Sequence, residues 1–255
     1  ALAAGNCALI KPSNYSYATS AVIQKLIRSI FPEKYVAVVE GGREANADLL
    51  EKQFDYIFFT GGTTVGRLVM EAAARHLTPV SLELGGKSPC IVDESADIDL
   101  AARRIVWGKY LNAGQTCVCP DYVLAHKSIK KQLVERMKYW IFKHYGQDPL
   151  GNDDYPAIIT EKHFDRLCTL IDGKNPANGK RVCGGEYNRQ SRKIAPAILE
   201  DPDPASPVMS EEIFGPVMPV LEFSDLESAR CFVAARPRPL ALYFFSSSSR
   251  ELLVS

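Results

Sequence analysis

The feature that most restricts the fold of this 255-residue chain is the alternation of strand-length and helix-length segments in its first third. Short apolar runs are separated by longer segments whose apolar residues recur at helical spacing. This alternation indicates parallel strands joined by helical crossovers, and continuously apolar strands suit a sheet that is buried on both faces. We therefore predict an α/β fold with an open, mainly parallel sheet. The predicted strands are 7–10, 35–39, 56–60 and 79–82, and the helices are 17–30, 45–54 and a third that follows the turn at 61–66 and ends near 75.

The rest of the chain keeps an α/β character with less regular spacing. We predict a helix over 98–110 that begins at Asp97, because Asp is a favoured N-cap residue. A turn-rich linker is expected at 148–156, a loop at 175–180 and a domain boundary between residues 82 and 83. The further predicted elements are strands at 90–92 and 122–125 and helices at 128–144 and 161–171.

Composition excludes several classes of function. The 30 basic residues balance the 30 acidic ones, and no run of five Lys or Arg residues occurs, so neither a nucleic-acid partner nor a membrane surface is indicated. No apolar run is long enough to suggest a transmembrane segment. The odd number of cysteines, seven, suggests free thiols in a reducing cytoplasm. The four histidines show no ligand spacing, so no metal site is predicted.

Three short motifs follow one another along the chain, and together they carry a specific resemblance. They are Leu-Glu-Leu-Gly-Gly-Lys at 82–87, Gly-Gln-Thr-Cys at 114–117 and Glu-Glu-Ile-Phe-Gly-Pro at 211–216. Each resembles an active-site signature of the aldehyde dehydrogenase family, and segments 3–13, 59–66 and 239–246 are similar to the same family. Within that family, the chain most resembles the class 3 branch, which oxidises fatty and aromatic aldehydes.

The resemblance implies both an architecture and an activity. It implies a Rossmann-like, open parallel-sheet cofactor domain at 1–82, followed by an α/β catalytic domain at 83–255. The implied reaction is oxidation of an aldehyde to a carboxylic acid with NAD or NADP as the cofactor. The full-length parent is expected to be a homodimer.

Two residues are the candidate catalytic groups. Cys117 is the candidate nucleophile, because a thiolate adds to an aldehyde carbonyl to form a thiohemiacetal, and loss of hydride then leaves a thioester. Glu83 is the candidate general base that activates the water for thioester hydrolysis. Its position at the end of a strand, before the Gly85-Gly86 pair, would let the carboxylate move toward or away from the reacting centre.

The cofactor-binding candidates come from three segments. Gly61, Gly62, Val65 and Gly66 form a Gly-x-x-x-x-Gly turn between a strand and a helix, a context that suits phosphate. By resemblance, Lys11 contacts the adenosine ribose hydroxyls, Leu84 offers its backbone carbonyl, Glu212 holds the nicotinamide ribose and Phe214 flanks the nicotinamide ring.

The identity of residue 14 leaves the choice between NAD and NADP open. Asn14 stands where class 3 relatives usually have a glutamate that also holds the ribose. An amide can still form a hydrogen bond with a hydroxyl, and it removes a negative charge that would repel a 2′-phosphate.

The other cysteines have different expected roles. A buried structural position is the favoured interpretation for Cys7, Cys90, Cys168, Cys183 and Cys231. The role of Cys119 is left open, and one hypothesis makes it a redox partner of Cys117.

Several alternatives remain at this point. The chain opens without Met and closes at 246–255 inside what resembles the start of another helix, so we expect a fragment that lacks both ends of the fold. Such a fragment would be poorly active by itself. One alternative function is therefore a truncated, non-catalytic remnant that binds nucleotide or a partner. Another is an acylating relative that passes the acyl group to coenzyme A or phosphate.

Overall fold

The structure, a computed structural model, describes residues 1–248. The chain divides into two compact units, Ala1–Leu84 and the part from Gly85 onward. This division lies two residues after the domain boundary that the sequence suggests, while the roles assigned to the two domains stay predictions. The helix expected at the end of the chain lies mostly outside the described residues.

The first unit alternates strand and helix, as its apolar pattern predicts. Its four strands lie in two parallel pairs, β1 with β2 and β3 with β4, and the parallel α/β class predicted from the sequence is confirmed. The apolar pattern of a strand indicates which of its faces are buried. Which strands pair with each other depends on hydrogen bonds between segments that are distant in sequence. The elements are β1 (Ala8–Ile10), α1 (Tyr17–Ile30), β2 (Val36–Val38), α2 (Arg43–Leu50), β3 (Ile57–Thr60), α3 (Thr63–Ala74) and β4 (Val80–Glu83), with short 3₁₀ turns at Leu2–Ala4 and Asn14–Ser16.

The second unit is built on a six-stranded sheet of order β12-β5-β6-β11-β10-β7. Five of these strands are parallel, and β7 is antiparallel at one edge. A 3₁₀ turn at Pro176–Asn178 lies in the segment expected to be loop, and a small hairpin pairs β8 with β9. The elements are β5 (Pro89–Val92), α4 (Ile98–Tyr110), β6 (Tyr122–His126), α5 (Lys130–Tyr145), α6 (Glu161–Ile171), β7 (Lys180–Cys183), β8 (Tyr187–Asn188), β9 (Lys193–Ile194), β10 (Ala197–Glu200), α7 (Pro207–Ser210), β11 (Val217–Phe223), α8 (Leu226–Ala234) and β12 (Tyr243–Phe245).

Side chains of the central strands divide between two apolar cores, one on each face of this sheet. In β6, Tyr122 and Leu124 belong to the core that α6 covers, whereas Val123 and Ala125 belong to the core under α4 and α5. Successive side chains of a strand point to opposite faces, so a wholly apolar strand supplies both cores at once. This burial on both faces explains the continuous apolar runs in the sequence.

Helix ends follow the predicted capping chemistry. The Asp97 carboxylate accepts a hydrogen bond of 3.0 Å from the Leu100 N–H, so α4 begins where the sequence indicates. The Thr160 hydroxyl accepts a hydrogen bond of 3.2 Å from the His163 N–H and caps α6. Each of these bonds satisfies one N–H group that lacks a partner within its helix.

Two kinds of feature are absent from the part of the chain that the structure describes. No helix within residues 1–248 is both long and apolar enough to cross a bilayer. Among the same residues, no group of three or more His, Cys, Asp and Glu side chains is arranged to hold a metal ion.

The core under α4 and α5 gives the first prediction. Leu133 on α5 is fully buried, so Leu133→Ala leaves a cavity and lowers the free energy of unfolding by about 2–5 kcal/mol. Urea denaturation of the natural protein that carries this chain measures the change. The control is Gln132→Ala, an exposed neighbour on the same helix, which should change it by less than about 0.5 kcal/mol. Equal losses for the two variants would contradict the assigned core.

Candidate functional site

The Gly-Gln-Thr-Cys motif forms the loop between α4 and β6, and Cys117 lies exposed on it. A hydrogen bond of 3.1 Å from the Cys119 N–H to the Thr116 carbonyl oxygen closes a turn around Cys117. The Gln115 carboxamide oxygen accepts a hydrogen bond of 3.0 Å from the Ile159 N–H and so ties the loop to the start of the α6 region. The loop is thus fixed on both sides of an accessible thiol.

Gly114 brings this loop into direct backbone contact with the Glu-Glu-Ile-Phe-Gly-Pro segment. Its φ of +71° lies in the left-handed region, and an added Cβ would lie 2.1 Å from the Gly215 carbonyl oxygen. Only glycine permits both the conformation and the contact. Two motifs that are about a hundred residues apart in sequence therefore meet at Gly114 and Gly215.

The Glu212 carboxylate rests on the Gly85-Gly86 turn. A Cβ at position 85 would lie 1.8 Å from Glu212 Oε2, so a larger residue would displace the carboxylate. The Gly86 N–H donates a hydrogen bond to this carboxylate. Burial raises the pKa of Glu212 to about 7, and the nearby Asp121 carboxylate acts in the same direction. The Gly86 hydrogen bond and the ammonium groups of Lys109 and Lys87 oppose the rise.

A buried ion cluster lies beneath this turn. Asp121, immediately before β6, has a side chain that is only 1% exposed, and its carboxylate lies 2.5 Å from Lys87 Nζ and 3.6 Å from Lys109 Nζ. The Lys109 side chain is fully buried and that of Lys87 is 10% exposed. Burial lowers the pKa of Lys87, while the charge and hydrogen bond of Asp121 oppose that change. A buried carboxylate with two cations satisfies the rule that interior charges need partners.

The same cluster holds the segment that carries Glu212. The Lys87 ammonium donates hydrogen bonds to the carbonyl oxygens of Val208, at 2.9 Å, and Glu211, at 3.0 Å. The Asp121 carboxylate accepts a hydrogen bond of 3.1 Å from the Ile213 N–H. Backbone groups on both sides of position 212 are therefore anchored to a buried ion pair.

Helix α6 anchors the Glu-Glu-Ile-Phe-Gly-Pro segment near Phe214. Phe214 has a φ of +51°, an uncommon value for an aromatic residue, and its carbonyl oxygen accepts a hydrogen bond of 2.7 Å from His163 Nε2. Arg166 donates through Nε to His163 Nδ1 at 3.5 Å, which is consistent with a neutral ring protonated at Nε2. Burial lowers the pKa of His163. Arg166 also donates to the Ile213 carbonyl oxygen and to the Glu211 carboxylate, the latter at 2.9 Å.

In the first unit, the glycine turn and the end of β4 lie together. Thr60 pairs with Glu83 in the parallel β3–β4 ladder, and the Gly61 N–H donates a hydrogen bond of 3.0 Å to the Glu83 carbonyl oxygen. Gly66 packs against the Leu84 side chain. Glu83 itself is exposed and is the last residue of β4.

The glycine turn leads directly into α3. Gly62 is the N-cap residue without a side-chain cap, and the first turn of α3 contains no acidic residue. Val65 lies in this first turn and is 45% exposed. The N–H groups at this helix end are thus free of carboxylate competition, a condition that suits an anion such as phosphate.

Lys11 lies on the other strand pair of the first unit, just after β1. Its ammonium donates a hydrogen bond of 2.9 Å to the Pro12 carbonyl oxygen. A crevice of about 100 Å³ opens beside it, where β1 and β2 end, and its lining includes Ser13, Asn14 and Glu40. In the second unit, a cavity of about 240 Å³ between Leu124, Phe223 and Phe232 contains none of the predicted site residues.

The remaining cysteines only partly follow their expected burial. Cys90 and Cys168 are buried as predicted, but Cys7 and Cys231 are exposed, so the expectation is wrong for those two, and Cys183 is intermediate. Cys119 is buried, its thiol lies 3.5 Å from the Gly114 carbonyl oxygen, and burial raises its pKa. A buried, protonated thiol is a poor redox partner for exposed Cys117.

Several residues that position the motifs escaped the sequence analysis. Lys87 falls inside the first motif, but the sequence does not show that its charge is buried and therefore needs a partner. No sequence signal links Lys109 or Asp121 to that lysine, because their proximity arises only when α4 and β6 pack. His163 and Arg166 share one face of a predicted helix by their spacing, but their target at 212–214 is distant in sequence.

Comparisons with known proteins agree with the motifs. Residues 1–253 match the sequence profile described as the aldehyde dehydrogenase family. The rat protein "aldehyde dehydrogenase, dimeric NADP-preferring" is 49% identical over 252 residues, covering 99% of this chain and 54% of the relative. "Aldehyde dehydrogenase family 3 member A2" of Macaca fascicularis is 46% identical, covering 98% of this chain and 50% of the relative.

A solved structure shows the same fold. The substrate-bound state of Staphylococcus aureus AldH matches with a TM-score of 0.93 and 43% identity over 99% of this chain and 54% of that one. The chain thus spans about half the length of the relatives that it matches.

The raised pKa of Glu212 gives a prediction about stability and pH. The folded chain favours the protonated Glu212 carboxyl over the charged one. The contribution of this group to the free energy of unfolding is therefore fully present below about pH 4.5 and is lost as the pH rises through about 7. We expect Glu212→Gln to raise the melting temperature at pH 8, by at most about 2 °C after solvent screening, and to have a smaller effect at pH 5. Thermal unfolding at both pH values measures this, with Glu186→Gln, an exposed glutamate of the same unit, as the control. A Glu212→Gln effect that is identical at both pH values would contradict the assignment.

Proposed function

Because the chain belongs to the aldehyde dehydrogenase family, we propose that the protein containing it oxidises an aldehyde to a carboxylic acid with NAD or NADP. The observation that carries this proposal is the meeting of two of the predicted motifs around an accessible thiol. Gly114 of the cysteine loop touches Gly215, beside the segment that bears Glu212 and Phe214. A class 3 preference for fatty or aromatic aldehydes, a homodimeric parent and a cytoplasmic location belong to the same proposal.

The first chemical step falls to Cys117. Its thiolate adds to the aldehyde carbonyl carbon, and the carbonyl oxygen takes a proton to give a thiohemiacetal. The exposure of Cys117 gives an aldehyde access to the thiol. The turn closed by Cys119 N–H and the anchoring of Gln115 hold the loop in place, so the orientation of the thiol is set before substrate arrives.

The residues present fit a dinucleotide. When it is bound, the nicotinamide ring supplies the acceptor for the hydride that leaves the thiohemiacetal. Glu212 would hold the nicotinamide ribose through its carboxylate, which the Gly85-Gly86 turn and the Lys87–Asp121 pair hold in position. Phe214 would flank the ring, and Gly61, Gly62, Val65 and Gly66 would face phosphate at the start of α3.

Glu83 acts after the redox step. Its carboxylate takes a proton from water, the water oxygen adds to the thioester carbonyl carbon, and the Cys117 thiolate leaves as the carboxylic acid forms. The exposed position of Glu83 at the end of β4 leaves its carboxylate free for this exchange. A water acceptor requires no coenzyme A, so product formation that depended on added coenzyme A would replace hydrolysis by acyl transfer.

The nucleophile is tested by Cys117→Ser in the natural protein that carries this chain. We expect aldehyde oxidation to fall by at least about 10³-fold, because a serine hydroxyl is far less nucleophilic than a thiolate. Formation of NADH or NADPH, followed by absorbance, measures the rate. The matched control is Cys231→Ser, an exposed cysteine on α8, which should retain the parental rate. Activity of Cys117→Ser near that of the control would reject the assignment.

The general-base role of Glu83 is tested by Glu83→Gln, in which cofactor reduction and thioester hydrolysis are followed as separate phases. Because this change spares thioester formation, we expect a burst of about one reduced cofactor per site. The burst should be followed by turnover slowed roughly 10²- to 10⁴-fold. Rapid-mixing absorbance separates the two phases, and Glu71→Gln, an exposed glutamate on α3, is the control. Loss of the burst itself would place Glu83 before hydride transfer instead.

A further inference from the structure

The crevice at the ends of β1 and β2 has the form of a nucleoside site. The two strands are parallel, Ile10 pairs with Val38, and the chain leaves both strands at the same edge. The crevice of about 100 Å³ opens at this edge, between the segment that begins with Pro12 and the turn at Glu40-Gly41. In open α/β folds, ligands bind outside the carboxyl ends of parallel strands.

The polar groups around this crevice fall into two sets. The Ser13 hydroxyl accepts a hydrogen bond of 3.2 Å from the Tyr15 N–H, and the Ser20 hydroxyl donates one of 2.9 Å to the Ser13 carbonyl oxygen. Within residues 1–248, by contrast, neither the Asn14 amide nor the Glu40 carboxylate has a hydrogen-bond or ion-pair partner in the protein. Among the same residues, the hydroxyl of exposed Tyr17, which also lines the crevice, has no such partner either, so three side chains are available to a ligand.

Glu40 contributes the single carboxylate among the residues that line the crevice, since residue 14 is an uncharged amide. A carboxylate is acceptor-only and can receive hydrogen bonds from both hydroxyls of a ribose diol. An acidic residue at a strand end plays this part toward the ribose 2′-hydroxyl in dinucleotide folds. Toward a 2′-phosphate the same carboxylate would be repulsive, because two negative charges would share a small space.

We propose that Glu40 makes this protein select NAD over NADP. Its carboxylate accepts hydrogen bonds from the adenosine ribose hydroxyls, while the Asn14 amide and the Lys11 ammonium beside the crevice supply donors. The inference rests on the proposed function, because it takes the crevice as the adenosine end of the cofactor site. It adds the residue that decides which of the two cofactors binds.

The test is a calorimetric titration of the natural protein that carries this chain with NAD and with NADP. We expect the parent to bind NAD about 10-fold to 100-fold more tightly than NADP. This is the range expected when a charge-assisted hydrogen bond between the carboxylate and a ribose hydroxyl is replaced by repulsion between the carboxylate and the 2′-phosphate. Glu40→Gln should lower the affinity for NAD several-fold and raise the affinity for NADP. Most of the difference between the two affinities should then disappear. Glu40→Lys should reverse the preference, because the ammonium attracts the 2′-phosphate.

The control is Glu33→Gln, an exposed glutamate that precedes β2 and does not line the crevice, and it should leave both affinities unchanged. Because Glu40 is exposed, its variants should keep the parental melting temperature. An unchanged ratio of affinities in Glu40→Gln, or a parent that prefers NADP, would overturn the role of Glu40 while leaving the proposed oxidation intact. A parent that binds neither nucleotide would overturn the proposed function and this inference together.

Discussion

The second unit depends on the buried interaction of Asp121 with Lys87 and Lys109. Three segments contribute these side chains: the glycine turn before β5, helix α4 and the start of β6. Two charges taken out of water are stable only when they face each other and their remaining hydrogen bonds are made. Here the remaining bonds go to the backbone at 208, 211 and 213. The ion pair therefore fixes the geometry of a fourth segment, the one that presents Glu212.

The Glu212–Phe214 segment is held from two directions. The Lys87–Asp121 ion pair anchors its backbone at one end of the segment, and His163 and Arg166 of α6 anchor its backbone at Phe214 and Ile213. The left-handed backbone at Phe214 costs free energy that these contacts must offset. A motif with little regular secondary structure of its own can be rigid in this way, and rigidity is what a residue needs if it is to hold part of a cofactor in one orientation.

Much of the fold follows from local patterns. Helices α1, α4 and α6 begin and end at the predicted residues, since helical periodicity and N-cap residues such as Asp97 act over a few neighbouring positions. The pairing of strands is different: β1 with β2 and β3 with β4 form separate parallel pairs that apolar runs do not reveal. The Glu212 contact with the Gly85-Gly86 turn was equally hidden, because the two segments are more than a hundred residues apart in sequence.

The sequence alone determined the α/β class, the main helices and the motifs that contain Cys117, Glu83 and Glu212, because residue type and spacing act locally. Only the tertiary structure decided what surrounds those residues. It buried Lys109 beside Asp121 and left Glu40 at the mouth of a crevice. It also placed the Glu212 carboxylate against a glycine turn, where burial raises its pKa to about 7. Burial and the distances between charges arise only when remote segments pack together, and they set the electrostatic properties of a site.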